Sequence, residues 1–288
     1  MNEILETLSQ LAVLVFVIAS MFSLGLSLTM KQIIAPLKNT RMVILALVAN
    51  FVLVPILAYV LALIFNLDDS LRTGLILLST AAGAPFLPKL VDSAKGNVAF
   101  SVGLMVLLMV VTIIYLPLVL PLLLGDVQVS PWDIAKSLII MMLIPLAVGL
   151  FIKARYEESA AKIQPTFGMA SNIALLMLVV LGLVLNFSSM IALVGTFGIL
   201  AAIIFILISL IIGYLLGGSD RGNKNVLGLG TAQRNISAAL VVAGQNFSSD
   251  VITYVLVIAI ISLVVLMPVA GELGKRMKGP AEAEQPTS

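Results

Sequence analysis

One arginine poses the chemical question in this chain. It lies in GLGTAQRNISAALVVAGQNF, residues 228–247, where Thr231, Gln233, Asn235 and Ser237 surround Arg234 in an otherwise apolar setting. An ionised arginine at the centre of a membrane-spanning helix costs about 2.5–3.5 kcal/mol on insertion scales, so it needs water or a partner. No carboxylate falls deep inside an apolar stretch; Asp92, Asp220 and Asp250 sit towards the ends. What is left for the guanidinium is an anionic ligand, the carbonyls of an unwound segment, or a water-filled cavity. Its planar fork of donors suits the paired oxygens of a carboxylate, sulfonate or phosphate. The same five donors would also tie crossing backbones together. A second segment with chemistry in it, GAPFLPKL at residues 83–90, holds Pro85, Pro88 and Lys89. Lys89 either occupies the place of a bound cation in the break or runs its stem out to the interface, as long side chains near helix ends do.

These residues exclude more chemistry than they allow. The chain has no cysteine and no histidine, which removes disulfides, thiolate nucleophiles and the usual zinc and haem ligands. An intramembrane hydrolase would have to pair a Ser or Thr with Lys89 or Arg234, and an arginine cannot serve as the base. A membrane sensor would carry a signalling domain, for which the C-terminal tail is too short. The net charge of +2 comes from loop positions with no basic stripe, so nucleic acid is not an expected partner. The sequence therefore reads as no enzyme, and no organic cofactor is called for.

The elements that must position these residues are membrane helices. With 61% hydrophobic and 10% charged residues, the chain is far from the roughly one-quarter charged expected of a soluble domain. Crossing the hydrocarbon layer takes about 20 apolar residues. That rule predicts nine spans, at about 9–28, 42–65, 70–94, 97–123, 133–152, 165–186, 192–217, 224–247 and 250–271, with the long uncharged stretch divided at NFSSM, residues 186–190. The first span is kept in the mature chain, and the polar tail 276–288 is expected to be disordered. Lys31, Lys38, Arg41, Lys89, Lys95, Lys153, Arg155, Lys162, Arg221, Lys224, Lys275, Arg276 and Lys278 alternate with loops holding Asp68, Asp69, Asp126, Asp133 and Asp250, with only Arg72 and Lys136 as basic exceptions near the edges of those loops. Basic loops stay cytoplasmic, so the N-terminus is placed outside and the C-terminus inside a cell membrane.

Two spans are interrupted. In the third, Pro85 and Pro88 remove backbone donors and clash with the preceding turn. In the eighth, Gly228, Gly230 and the polar run that follows ask for unwound backbone or a cavity. Paired broken helices in corresponding positions of two halves point to a secondary transporter built from inverted repeats. Spans three and eight stand five apart, so the repeats fall at about residues 1–124, lacking an opening helix, and 133–275. The breaks are expected to cross near Pro85 and Arg234. Gln245 and Asn246 are read as helix-end caps.

The chain resembles the bile acid:sodium symporter family over nearly its whole length. AKGNVAFSVGLM (residues 94–105) is similar to the family's stretch after the first broken helix, GTAQRNISAAL to its polar motif in the second, and VILALVANFVLVPILAY to the helix before the first break, with Asn50 at its amide position and Pro55 beyond. The resemblance implies an all-α membrane fold with panel and core subdomains, broken helices crossing in the core, and sodium-coupled uptake of organic anions. It also implies a glutamate serving sodium where Gly230 stands, a Ser-Asn pair where Leu87 and Pro88 stand, and a threonine where Met105 stands. Ser101, Asn50, Thr231 and Gln233 are left as ion-binding oxygens. The expected function is alternating-access transport of a small organic anion, either sodium-coupled or sodium-independent. Arg234, Asn235, Gln233, Pro85 and Lys89 are the expected substrate contacts. Arsenite is disfavoured as a substrate by the absence of cysteine.

Overall fold

The structure, a computed structural model, describes residues 2–125, 130–185, 193 and 195–277. All secondary structure among the described residues is helical. Eleven helices position the site: α1 (Asn2–Ser27), α2 (Thr40–Ile64), α3 (Asp69–Thr80), α4 (Leu87–Ser93), α5 (Val98–Leu124), α6 (Pro131–Arg155), α7 (Glu157–Leu185), α8 (Gly198–Leu216), α9 (Arg221–Ala232), α10 (Ile236–Asn246) and α11 (Ser249–Met277). The tail, Asp126 and the boundary at residues 186–190 lie outside the described residues.

Among the described residues, seven segments are long and apolar enough to cross a membrane: Thr7–Ser27, Thr40–Ile64, Val98–Leu124, Pro131–Arg155, Gly198–Leu216, Arg221–Asn246 and Ser249–Met277. Two of the nine expected spans are not among them: the third, divided into α3 with 12 residues and α4 with 7, and the sixth, which falls in α7. Large apolar side chains such as Ile114, Leu118 and Leu122 on α5 lie exposed along one stripe, as a lipid-facing surface requires. The segment Arg221–Asn246 differs: 94% of its apolar 18-residue stretch is buried inside the protein, against 33–56% of the corresponding stretches of the other six. Protein rather than lipid encloses it, which is the condition under which interrupted backbone is tolerated at membrane depth.

The helices pack in two sets. α1 lies against α6 and α7. A Cβ built on Gly149 would come within 2.6 Å of the Phe22 carbonyl oxygen, and one on Gly25 within 2.3 Å of that of Leu146, so α1 and α6 touch backbone to backbone. Phe22 meets Phe167 edge-on at 4.6 Å, and Gln164 Nε2 donates to Ser23 Oγ at 3.0 Å, which fixes α7 on the other side of α1. In the second set, α9 lies along α8, α3 is flanked by α2, α5 and α11, and α4 rests on α5 and α9. A Cβ on Gly213 of α8 would stand 2.2 Å from the Leu227 carbonyl oxygen, so this pair too is in backbone contact.

Two helices of this architecture are locally distorted. Residues 49–53 of α2 and 139–143 of α6 form π-helical turns, each running into a proline, Pro55 or Pro145. Pro55 has no N–H to give to the carbonyl four residues back, that of Phe51. Tyr115 of α5 donates its hydroxyl to that carbonyl, and its ring lies tilted against that of Phe51 with the centroids 4.7 Å apart. A donor missing from α2 is thus supplied by α5.

Candidate functional site

The site is the place where the two interrupted segments meet. α3 ends at Thr80, residues 81–86 run non-helically, and α4 begins at Leu87. α9 ends at Ala232, and Gln233, Arg234 and Asn235 are unwound before α10 begins at Ile236. A helix that stops in a membrane leaves its last carbonyls and the next helix's first N–H groups without partners. Here each break supplies the other. Arg234 Nε donates to the Leu78 carbonyl at 3.2 Å, and Nη2 donates to that of Ser79. The Asn235 N–H donates to the Ala81 carbonyl at 2.9 Å, and its Nδ2 to that of Ala82 at 3.3 Å. Asn235 Oδ1 accepts the Ala238 N–H at 3.1 Å and so caps α10.

The first break is also seated on α5. Thr112 Oγ1 accepts the Ala82 N–H at 2.9 Å and donates to the Ala82 carbonyl at 3.1 Å. Gly83 adopts φ +81, and a Cβ there would stand 2.2 Å from the Met109 backbone nitrogen, so neither the conformation nor the space admits a side chain. The crossing point is therefore Leu78–Ala82 against Arg234–Asn235, one turn before the expected Pro85. The chain must leave the helix ahead of the proline, because a residue preceding proline is disfavoured in helical geometry.

Arg234 is 1% exposed, and its guanidinium is held by four oxygens of the protein. Besides the Leu78 and Ser79 carbonyls, Nη1 donates to Asn50 Oδ1 at 2.6 Å and to the Thr231 carbonyl at 3.2 Å. Asn50 stands on the π-helical turn of α2, and its Nδ2 donates to the Ala46 carbonyl at 3.0 Å and to Thr231 Oγ1 at 3.4 Å. Two ion pairs, Lys153–Glu157 and Arg276–Glu272, lie away from the crossing along the chain.

The other expected site residues divide. Gln233 is 1% exposed, and its Oε1 has no hydrogen-bond partner among the described residues. Ser101 is buried, with its hydroxyl donated back to the Val98 carbonyl at 2.7 Å. Around Gly230 the neighbours are apolar: a built Cβ would meet Leu87 at 3.1 Å and Leu104 at 3.9 Å. Lys89 is exposed, with its Nζ 5.4 Å from the centre of the Phe86 ring. Gln245 accepts a hydrogen bond from Ser137 of α6, which makes it a tie between helices rather than a cap. Asn246 does bond within its own helix end, donating to the Val242 carbonyl at 2.9 Å.

Pro85 lines a crevice of about 230 Å³ between the break and the α1–α7 pair, with Ser20, Ser23, Ser27, Gln164 and Ser171 on its walls. Sequence reading missed these residues. The serines recur at i, i+3 and i+7 on α1, a polar stripe in an apolar helix that does point to a cavity or a partner.

Comparison with known proteins gives the chain a family. Residues 13–193 match the family model described as Sodium Bile acid symporter family. An uncharacterised sodium-dependent transporter of Bacillus subtilis is 24% identical over 160 residues, covering 55% of this chain and 50% of that protein. A probable chloroplastic sodium/metabolite cotransporter of Oryza sativa is 28% identical over 153 residues, covering 52% and 36%. A second one from the same plant is 23% identical over 195 residues, covering 67% and 46%. The chain thus matches half or less of the length of each relative.

Proposed function

Because this chain belongs to the sodium bile acid symporter family, we propose that it is a secondary transporter that carries a small organic anion across a membrane by alternating access. The observation that carries the reading is the crossing of two broken helices inside the protein, with an uncompensated arginine at the crossing. Broken helices at membrane depth are how transporters build a site at the centre of the bilayer. On this reading α1, α6 and α7 form the panel and the remaining helices the core. The chain makes nine crossings, counting α3 with α4 as one and α7 as another, in two inverted repeats at about 1–124 and 133–275. The N-terminus is outside and the C-terminus cytoplasmic.

The anion is proposed to pass through the crevice between the two sets of helices. Ser20, Ser23, Ser27 and Gln164 on its walls now donate within the protein, to Val17, Gln164, Leu24 and Ser23, and on this reading they turn to the carboxylate or sulfonate oxygens when the anion enters. Pro85 borders that crevice, and the exposed Lys89 on the neighbouring turn adds positive potential. Arg234, Asn235 and Gln233 contribute from behind the break: the arginine through its charge, Asn235 by holding the unwound backbone, and Gln233 with its unpartnered amide oxygen.

Sodium coupling is what the relatives' names bring to this chain. A specific observation favours the sodium-independent alternative. Of the four oxygens offered to the ion, Asn50 is bonded to Arg234, Thr231 to Asn50 and Ser101 to its own helix, which leaves Gln233 Oε1 without a partner among the described residues, and leucines line the Gly230 position where a carboxylate would be needed. The test is uptake of labelled carboxylates and sulfonates into proteoliposomes, with sodium, proton and potential gradients imposed separately. We expect accumulation that does not require sodium, and weaker apparent affinity in Ser23→Ala and Gln164→Ala. No uptake above protein-free liposomes under any gradient would refute transport of these anions, and unchanged affinity in both variants would move the site elsewhere.

A further inference from the structure

We infer that the guanidinium of Arg234 is a tethered cation, permanently occupying the point where the carbonyl ends of the two half-helices converge and excluding a free metal cation from it. The cage is built of oxygens alone: the carbonyls of Leu78 and Ser79 from the last turn of α3, the carbonyl of Thr231 from the last turn of α9, and Asn50 Oδ1 from the π-helical turn of α2. The C-terminal end of a helix carries a partial negative charge from such orphan carbonyls. Two of these ends face one point here, which creates a strong preference for a positive charge there without any carboxylate.

In transporters with broken helices, unwound carbonyls and half-helix C-terminal ends are the groups that coordinate a driving sodium ion or proton. The donor set around Arg234 is of that kind, and hard monovalent cations take such oxygens. What fills it is covalently part of the chain. The guanidinium uses four of its donor positions on four separate oxygens and is buried to 1% exposure, which leaves no room beside it for an ion of the same charge. Repulsion between two cations a few ångströms apart in a low-dielectric interior reinforces the exclusion. The residue that reads as a ligand for the transported anion thus does the work of an ion on the protein's side of the break, and the crossing needs no metal cation to assemble.

The inference bears on coupling only if the chain is a transporter, but its test reads cation binding and stability, so failure to find a transported anion leaves it intact. Purified protein in nanodiscs is melted in choline chloride, in sodium chloride and in methylguanidinium chloride. Wild type should show no sodium-specific shift. Arg234→Ala should melt lower in choline, and it should regain about 2–4 °C in either sodium or methylguanidinium at concentrations several-fold above their dissociation constants. If Arg234→Ala does not fold, Arg234→Lys serves. It keeps a cation in the cage but cannot reach all four oxygens, so it should melt lower than wild type and ignore sodium. A saturable sodium shift in wild type or in Arg234→Lys would overturn the inference. So would an Arg234→Ala protein that melts like wild type and responds to neither cation.

Discussion

Thr112→Val tests how dry the crossing is. Valine keeps the shape of threonine and removes one oxygen, but that oxygen serves Ala82 twice, accepting its N–H at 2.9 Å and donating to its carbonyl at 3.1 Å. The carbonyl keeps a second donor, Asn235 Nδ2 at 3.3 Å. The N–H keeps none among the described residues, because the Leu78 carbonyl four residues back already accepts Ala81 N–H and Arg234 Nε. Side-chain hydrogen bonds between membrane helices average only about 0.6 kcal/mol, because the separated helices find other partners. A backbone N–H at a fixed break has no such choice, so the cost should approach that of an orphaned buried donor, about 1–3 kcal/mol. The measurement is reversible unfolding in bicelles by steric trapping, with Ser209→Ala as control. Ser209 Oγ is buried without a partner among the described residues, so its removal should cost nothing or stabilise. If Thr112→Val costs less than about 0.5 kcal/mol, like the control, then water reaches Ala82 and the break is wet.

Two further outcomes follow from the same geometry. Gly83→Ala should abolish the monodisperse fold, since its Cβ would press on the backbone of Met109 at a φ of +81 that alanine avoids; a stable, normally eluting variant would show that the break can relax. Lys89→Gln should leave the melting temperature unchanged and alter anion uptake only through apparent affinity, because the side chain is exposed; a loss of folded protein would place it in the scaffold.

The interruptions were legible because proline and glycine act locally. Pro85, Pro88, Gly228 and Gly230 mark the broken segments, and the structure breaks both, at residues 81–86 and 233–235, with Pro88, Gly228 and Gly230 themselves helical. Where the breaks touch was less legible. The contact falls on Leu78–Ala82, residues of ordinary helical character whose carbonyls are freed only by the chain's exit from the helix. Thr112 was missed because a threonine in a long apolar helix normally bonds back to its own preceding turn. Neither π-helical turn has a sequence signature beyond the proline that follows it. Arg234 stood out by charge alone, but sequence could not choose among the partners open to it. That choice depends on which carbonyls the fold leaves unpaired 155 residues away.

The same separation dictates an order of assembly. Arg234 and Leu78 are 156 residues apart, and Asn235 and Ala82 are 153 apart. A chain growing at about 5–20 residues per second makes the second break roughly 8–30 s after the first. During that interval the carbonyls of Ser79 and Ala81 have no partner in the protein made so far. Thr112 arrives within 30 residues and can anchor Ala82 alone. The first broken helix therefore cannot settle into lipid when it is made. It must be kept near water or the insertion machinery, pinned at one residue, until the arginine that completes it has been synthesised.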